Sequence, residues 1–87
     1  MSSDLKSKIS DITAPIVGEI YFHYRDTNHE QPYRVKALAL REETLEPSVI
    51  YEALYGEKLI WDRLLKDWNT SVLFQNEIVP RFTKKQL

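Results

Sequence analysis

Between Val17 and Arg25 the chain crowds aromatic and β-branched residues into a run too short for a stable helix, and they alternate with period two. Ile20, Phe22 and Tyr24 fall on one face of such a strand, Tyr21, His23 and Arg25 on the other. With Ile20, Phe22 and Tyr24 turned to the core, His23 is exposed or lies in a groove. A polar connection from Asp26 to Pro32 carries turn residues, and Tyr33 to Leu40 alternates again. There Tyr33, Val35, Ala37 and Ala39 oppose Arg34, Lys36, Leu38 and Leu40, so the two runs read as a hairpin with a long loop.

The charged stretch 41–47 ends in Pro47 and suits an exposed loop. Residues 48–55 admit two readings. One is a strand with Val49, Tyr51, Ala53 and Tyr55 on one face; the other is a short helix capped by Ser48 and stopped by Gly56. Shortness and the content of Val, Ile and Tyr lean toward the strand. Lys58 to Asp62 reads as a short apolar strand containing Trp61, and residues 63–68 as a helical turn with Leu64, Leu65 and Trp68 on one side. Residues 71–74 and 78–82 flank Gln75, Asn76 and Glu77 as a final hairpin, with Pro80 implying an edge strand or bulge. Residues 1–16 are polar with Leu5, Ile9 and Ile12 at helical spacing, a short amphipathic turn ended by Pro15 or a frayed tail. The expected organisation is that tail followed by a single domain over 17–87: five or six short strands and one helical turn, mainly β, in a small barrel or roll.

Composition removes whole classes of function. Without cysteine there is no disulfide framework, thiolate zinc site or catalytic thiol. Only Gly18 and Gly56 are glycines, which rules out a glycine-rich phosphate cradle. A net charge of −1 argues against a sequence-independent nucleic-acid binder, although Arg25, Arg34, Lys36, Arg63 and the tail residues Arg81, Lys84 and Lys85 keep a weak one in view. Asp4, Lys6, Lys8 and Asp11 interrupt any apolar leader, and the longest uncharged stretch, Trp68 to Asn76, is too short to span a bilayer. A cytoplasmic protein without membrane contact is the expectation.

The sequence Tyr51-x-x-Leu54-Tyr55-Gly56, followed by Trp61-x-Arg63 and closed by Val79-Pro80-Arg81-Phe82, is the most specific pattern in the chain. With the runs at 20–26, 33–35 and 42–46 it resembles a bacterial family known only as domain of unknown function family 1653, over residues 18–83. The resemblance implies an SH3-like β-barrel and a strand for 48–55; it implies no activity. The chain departs from the family's pattern at Phe22, at Asp26-Thr27 with a longer loop, at Leu64 and at Asn76-Glu77.

Six residues are candidates for a ligand-binding surface: Tyr21, His23, Glu43, Tyr51, Trp61 and Arg63. Trp61 and Arg63 share strand parity, and an aromatic plane beside a guanidinium can stack a flat ligand and hold its anion. The structural alternative, favoured by the needs of so small a core, has Trp61 buried and Arg63 paired with a carboxylate. Glu43, in the acidic cluster of Glu42, Glu43 and Glu46, would accept hydrogen bonds from a ligand or fix its loop by pairing with Arg63. His23 could serve as acid or base but has no second catalytic group placed by sequence. His23, His29 and Glu30 lack any metal-ligand spacing. A binding module for a small molecule or protein partner is therefore expected, without cofactor, as monomer or as homodimer through an edge strand. Its rivals are a small enzyme using His23 or Glu43 and a weak nucleic-acid binder.

Overall fold

The computed structural model describes residues 14–86. The amphipathic or frayed turn expected in 1–16 falls outside them except at its end, where Ala14 packs against the core and Pro15 is buried.

Among the described residues there are seven strands and one helical turn: β1 (Ile20–His23), β2 (Tyr33–Leu40), β3 (Pro47–Ala53), β4 (Ile60–Leu64), α1 (Leu65–Trp68), β5 (Val72–Phe74), β6 (Glu77–Val79) and β7 (Phe82–Lys84). All pairings are antiparallel, in a five-stranded sheet of order β4-β3-β2-β1-β7 and a two-stranded hairpin of β5 and β6. The mainly β architecture is thus present, but β4 and β7 remain edges and the sheet does not close on itself. Residues 48–53 belong to a strand, because Val49, Tyr51 and Ala53 bury one complete face while Ile50 and Glu52 stay half-exposed.

The parity read for the first strand holds, yet its inward face is the opposite one. Tyr21 joins Val35, Val49, Tyr51, Leu65, Trp68 and Phe82 in the core, while Phe22 is buried beneath the β1–β2 loop, its ring stacked on His29 at 4.2 Å. A loop long enough to fold back over the sheet gives Phe22 cover that alternation alone could not reveal. A second correction concerns β2. The pairing jumps between Val35/Tyr51 and Ala37/Ile50, leaving Lys36 as an extra residue, and this bulge reverses the parity beyond it. Leu38, not Ala37, consequently packs on the core.

Trp68 is what α1 contributes. The short turn follows β4 directly and places Leu65 and Trp68, both buried, against the sheet. The Trp68 ring meets Tyr21 and Tyr51 edge-on at 5.4 and 5.2 Å, arrangements worth about 0.5–1.5 kcal/mol each beyond area burial. Gln75 and Asn76, with φ of 53° and 67°, make the tight turn between β5 and β6. Phe74 anchors this hairpin to Tyr24, ring centroids 5.3 Å apart.

Candidate functional site

The core face of the sheet runs out toward β4 and the end of β1, where the side chains stop filling space. An open cavity of about 370 Å³ lies there. Its floor is aromatic: Tyr33, Tyr51 and Phe82 meet one another edge to face, at 5.3 Å between Tyr33 and Tyr51 and 5.7 Å between Tyr51 and Phe82. Its rim is polar and charged, with His23, Arg25, Asp26 and Gln31 on one side and Trp61 and Arg63 on the other.

Of the six candidates, His23, Tyr51, Trp61 and Arg63 border this cavity, while Tyr21 and Glu43 do not. Tyr21 is buried in the core, where its hydroxyl accepts a hydrogen bond from the Ile16 backbone N–H at 2.8 Å. Glu43 lies in the β2–β3 loop beside a different depression lined by Ile50 and Asp62. Ile50 pairs with Asp62 across the sheet and Tyr51 with Trp61, so these two pairs face opposite ways. The expected contact between Glu43 and Arg63 is absent for that reason: Arg63 follows Trp61 on the cavity face. The acid that pairs here is Asp62, bound by Arg41 at 2.8 Å, and Glu46 pairs with Lys66 at 3.2 Å.

Trp61 is 49% exposed. The burial expected of it is supplied by Trp68, which leaves the indole of Trp61 on the rim. Arg63 extends from the same face of β4, its guanidinium carbon 5.5 Å from the centre of the Phe82 ring and its Nε donating to the Tyr51 hydroxyl at 3.4 Å. No carboxylate among the described residues forms an ion pair with it. Asp26 is near, but its two carboxylate oxygens accept the backbone N–H groups of Glu30 and Gln31 at 3.0 and 2.8 Å and so hold the β1–β2 loop in shape.

His23 packs its edge on Phe82 at 5.3 Å, and its Nδ1 accepts the Arg25 backbone N–H at 3.2 Å. Burial lowers its pKa below the ordinary histidine value, and the positive charges of Arg63, Arg81 and Arg25 lower it further, against a smaller opposing pull from Asp26. This shift favours the neutral imidazole, and because Nδ1 accepts, the ring proton lies on Nε2, which is left as a donor. Tyr33 shares a short hydrogen bond with the Tyr55 hydroxyl. Burial and then that bond push the Tyr33 hydroxyl well above the usual tyrosine range, so it too stays protonated. Apart from the Gln31 side-chain amide, which can also accept, the polar groups of the floor and rim that are not already engaged are thus mainly donors and cations. Arg81 does not line the cavity, but its charge acts on His23 and its buried Nε has no partner among the described residues.

Sequence reasoning missed Tyr33, Phe82, Arg25, Asp26 and Gln31. Tyr33 and Phe82 could have been found once Tyr21 and His23 were turned inward, because Tyr33 pairs with Tyr21 and Phe82 with His23. The basic residues Arg34 and Lys36 do not extend the rim. Arg34 donates to the Gly18 carbonyl at 2.8 Å, and Lys36 lies 3.6 Å from Glu52, whose side chain faces away from Tyr51. The histidines pack on different rings, His29 on Phe22 and His23 on Phe82, although both border a second, smaller depression between the β1–β2 loop and Phe74. Among the described residues no three His, Asp or Glu side chains gather as a metal site, and no helix is long and apolar enough to cross a membrane.

A family described as a protein of unknown function (DUF1653) matches residues 19–84. The chain is also similar to a crystal structure of a DUF1653 protein from Bordetella bronchiseptica, with 32% identity over 77% of this chain and 83% of that one and a TM-score of 0.63. None of the curated proteins compared with it matches.

Proposed function

From the premise that this chain belongs to the DUF1653 family, for which no activity is established, we propose that the domain is a binding module whose cavity takes a flat ring bearing an anionic group. The observation that carries this reading is the pairing of an exposed Trp61 with an Arg63 that has no acidic partner among the described residues, side by side over an aromatic floor. A guanidinium whose terminal amino groups have no carboxylate partner among the described residues matches a carboxylate or phosphate, and an exposed indole beside it offers the face on which a ring stacks. The Nδ1 lone pair of His23 is already taken by the Arg25 backbone N–H and the Tyr33 hydroxyl is held protonated, so the site presents mainly hydrogen-bond donors, an arrangement that suits holding an anion.

Calorimetric titration with three ligands sharing one ring tests the reading. 4-Hydroxyphenylacetate should bind, the uncharged 4-hydroxyphenethyl alcohol should bind more weakly, and the cationic tyramine weakest. Equal binding of all three, or none by the acid at millimolar concentration, would overturn it.

A further inference from the structure

The two edges of the five-stranded sheet are built differently. β7 has three residues, follows Pro80 and carries Lys84 with Lys85 next to it, devices that discourage another strand from pairing. β4 has five residues, no proline and no lysine, and among the described residues its backbone pairs with β3 alone. Leu59, Ile60 and Trp61 are all about half exposed or more along this edge, Ile60 at 62%. An edge without proline or lysine, its charges confined to Asp62 and Arg63 and apolar residues leading into it, can serve as a template for strand addition.

The same strand borders the cavity. Side chains on an added strand alternate, so every second one would stand on the face that carries Trp61 and Arg63 and lean over the aromatic floor. That face holds Arg63 and Arg25 while the Asp26 carboxylate is engaged by its own loop, which selects acidic side chains there. Trp61 selects an aromatic or apolar neighbour two positions along. We propose that β4 takes an extended peptide segment of a partner protein as a sixth strand, with acidic and aromatic side chains alternating on the cavity side. This rests on the reading of the cavity as an anion-and-ring site and names the partner it serves.

The test uses the whole chain, isotopically labelled, and the peptide acetyl-Thr-Glu-Thr-Tyr-Thr-Glu-Thr-amide, whose face reads the same in both strand directions. Two further peptides are N-methylated, one at the Glu and Tyr amides and one at the internal Thr amides, so that in each strand only one set points toward β4. The unmodified peptide should shift the backbone amides of residues 59–64 together with the Trp61 indole. One methylated peptide should lose about tenfold or more in affinity while the other keeps most of it, because only inward amides bond to the edge. If both methylated peptides bind as the parent does, or if 4-hydroxyphenylacetate binds and the peptide does not, strand addition is wrong and the cavity reading stands. If neither the peptide nor 4-hydroxyphenylacetate binds, both fail. A chain that is already dimeric by light scattering, with β4 amides protected from exchange before any peptide is added, would assign the edge to a second copy and overturn the proposal.

Discussion

The indole of Trp68 lies flat on the ring of Phe82, their centres 3.8 Å apart and their planes within 5° of parallel. This stack closes the core between α1 and β7, and it carries the cavity floor, since the Phe82 ring also meets His23 and the Arg63 guanidinium. The two tryptophans consequently have separate duties, one structural and one at the surface.

Trp68→Ala should cost about 3–5 kcal/mol of stability, as truncation of a large buried aromatic does, whereas Trp61→Ala should stay within about 0.5 kcal/mol. Urea unfolding of the two variants checks this. Comparable losses in both would mean that Trp61 is a core residue after all.

Arg63→Ala should leave the fold intact and weaken 4-hydroxyphenylacetate by tenfold or more, the loss expected when a charged hydrogen bond worth about 1.5–3 kcal/mol is removed. Arg63→Lys should recover only part of it, because an ammonium cannot reproduce the planar edge or the stack on Phe82. Glu43→Gln serves as the contrast. Glu43 borders the far depression, so calorimetry should find its effect on the same ligand small.

His23 makes stability pH-dependent in a definite direction. Its folded pKa lies below the ordinary histidine value of 6.5, chiefly through burial, so on acidification the unfolded chain takes up the proton first. Stability from this source is complete above pH 6.5 and is lost as pH falls from there through the folded pKa. His23→Gln should flatten that part of the curve of unfolding free energy against pH. An anion bound beside Arg63 should also raise the His23 pKa, which NMR titration of the imidazole reads directly; a lowered value would contradict the placement of the anion.

Asn76→Gly should stabilise the chain by about 0.4–1 kcal/mol in thermal unfolding. At φ 67° a glycine occupies the left-handed region more readily than any side chain, and the adjacent Gln75 already completes a two-residue turn. A destabilised variant would show that the Asn76 side chain is needed there.

How much of this was legible beforehand differs from residue to residue. Period-two alternation located β1 and β2, β3 was favoured over a helix only by its shortness and its Val, Ile and Tyr content, and the shared face of Trp61 and Arg63 on β4 followed from their parity. Which face of β1 turns inward was not legible, because Phe22 and Tyr21 are both buried and alternation cannot tell a core from a loop folded over the other side. The bulge at Lys36 was equally hidden: an extra residue in one strand shows only against its partner. Trp61 and Trp68 could not be assigned their roles until the turn at α1 fixed which of them reached Phe82. Glu43 lay within reach of Arg63 on paper and on the other face of the sheet in space.

The two indole N–H resonances offer the most direct test. In a spectrum of the labelled chain titrated with 4-hydroxyphenylacetate, the Trp61 signal should move while that of Trp68 stays still, and the movement should vanish in Arg63→Ala. A stationary Trp61, or one that moves as far with tyramine as with the acid, would contradict the account of the cavity as a site for an anionic ring.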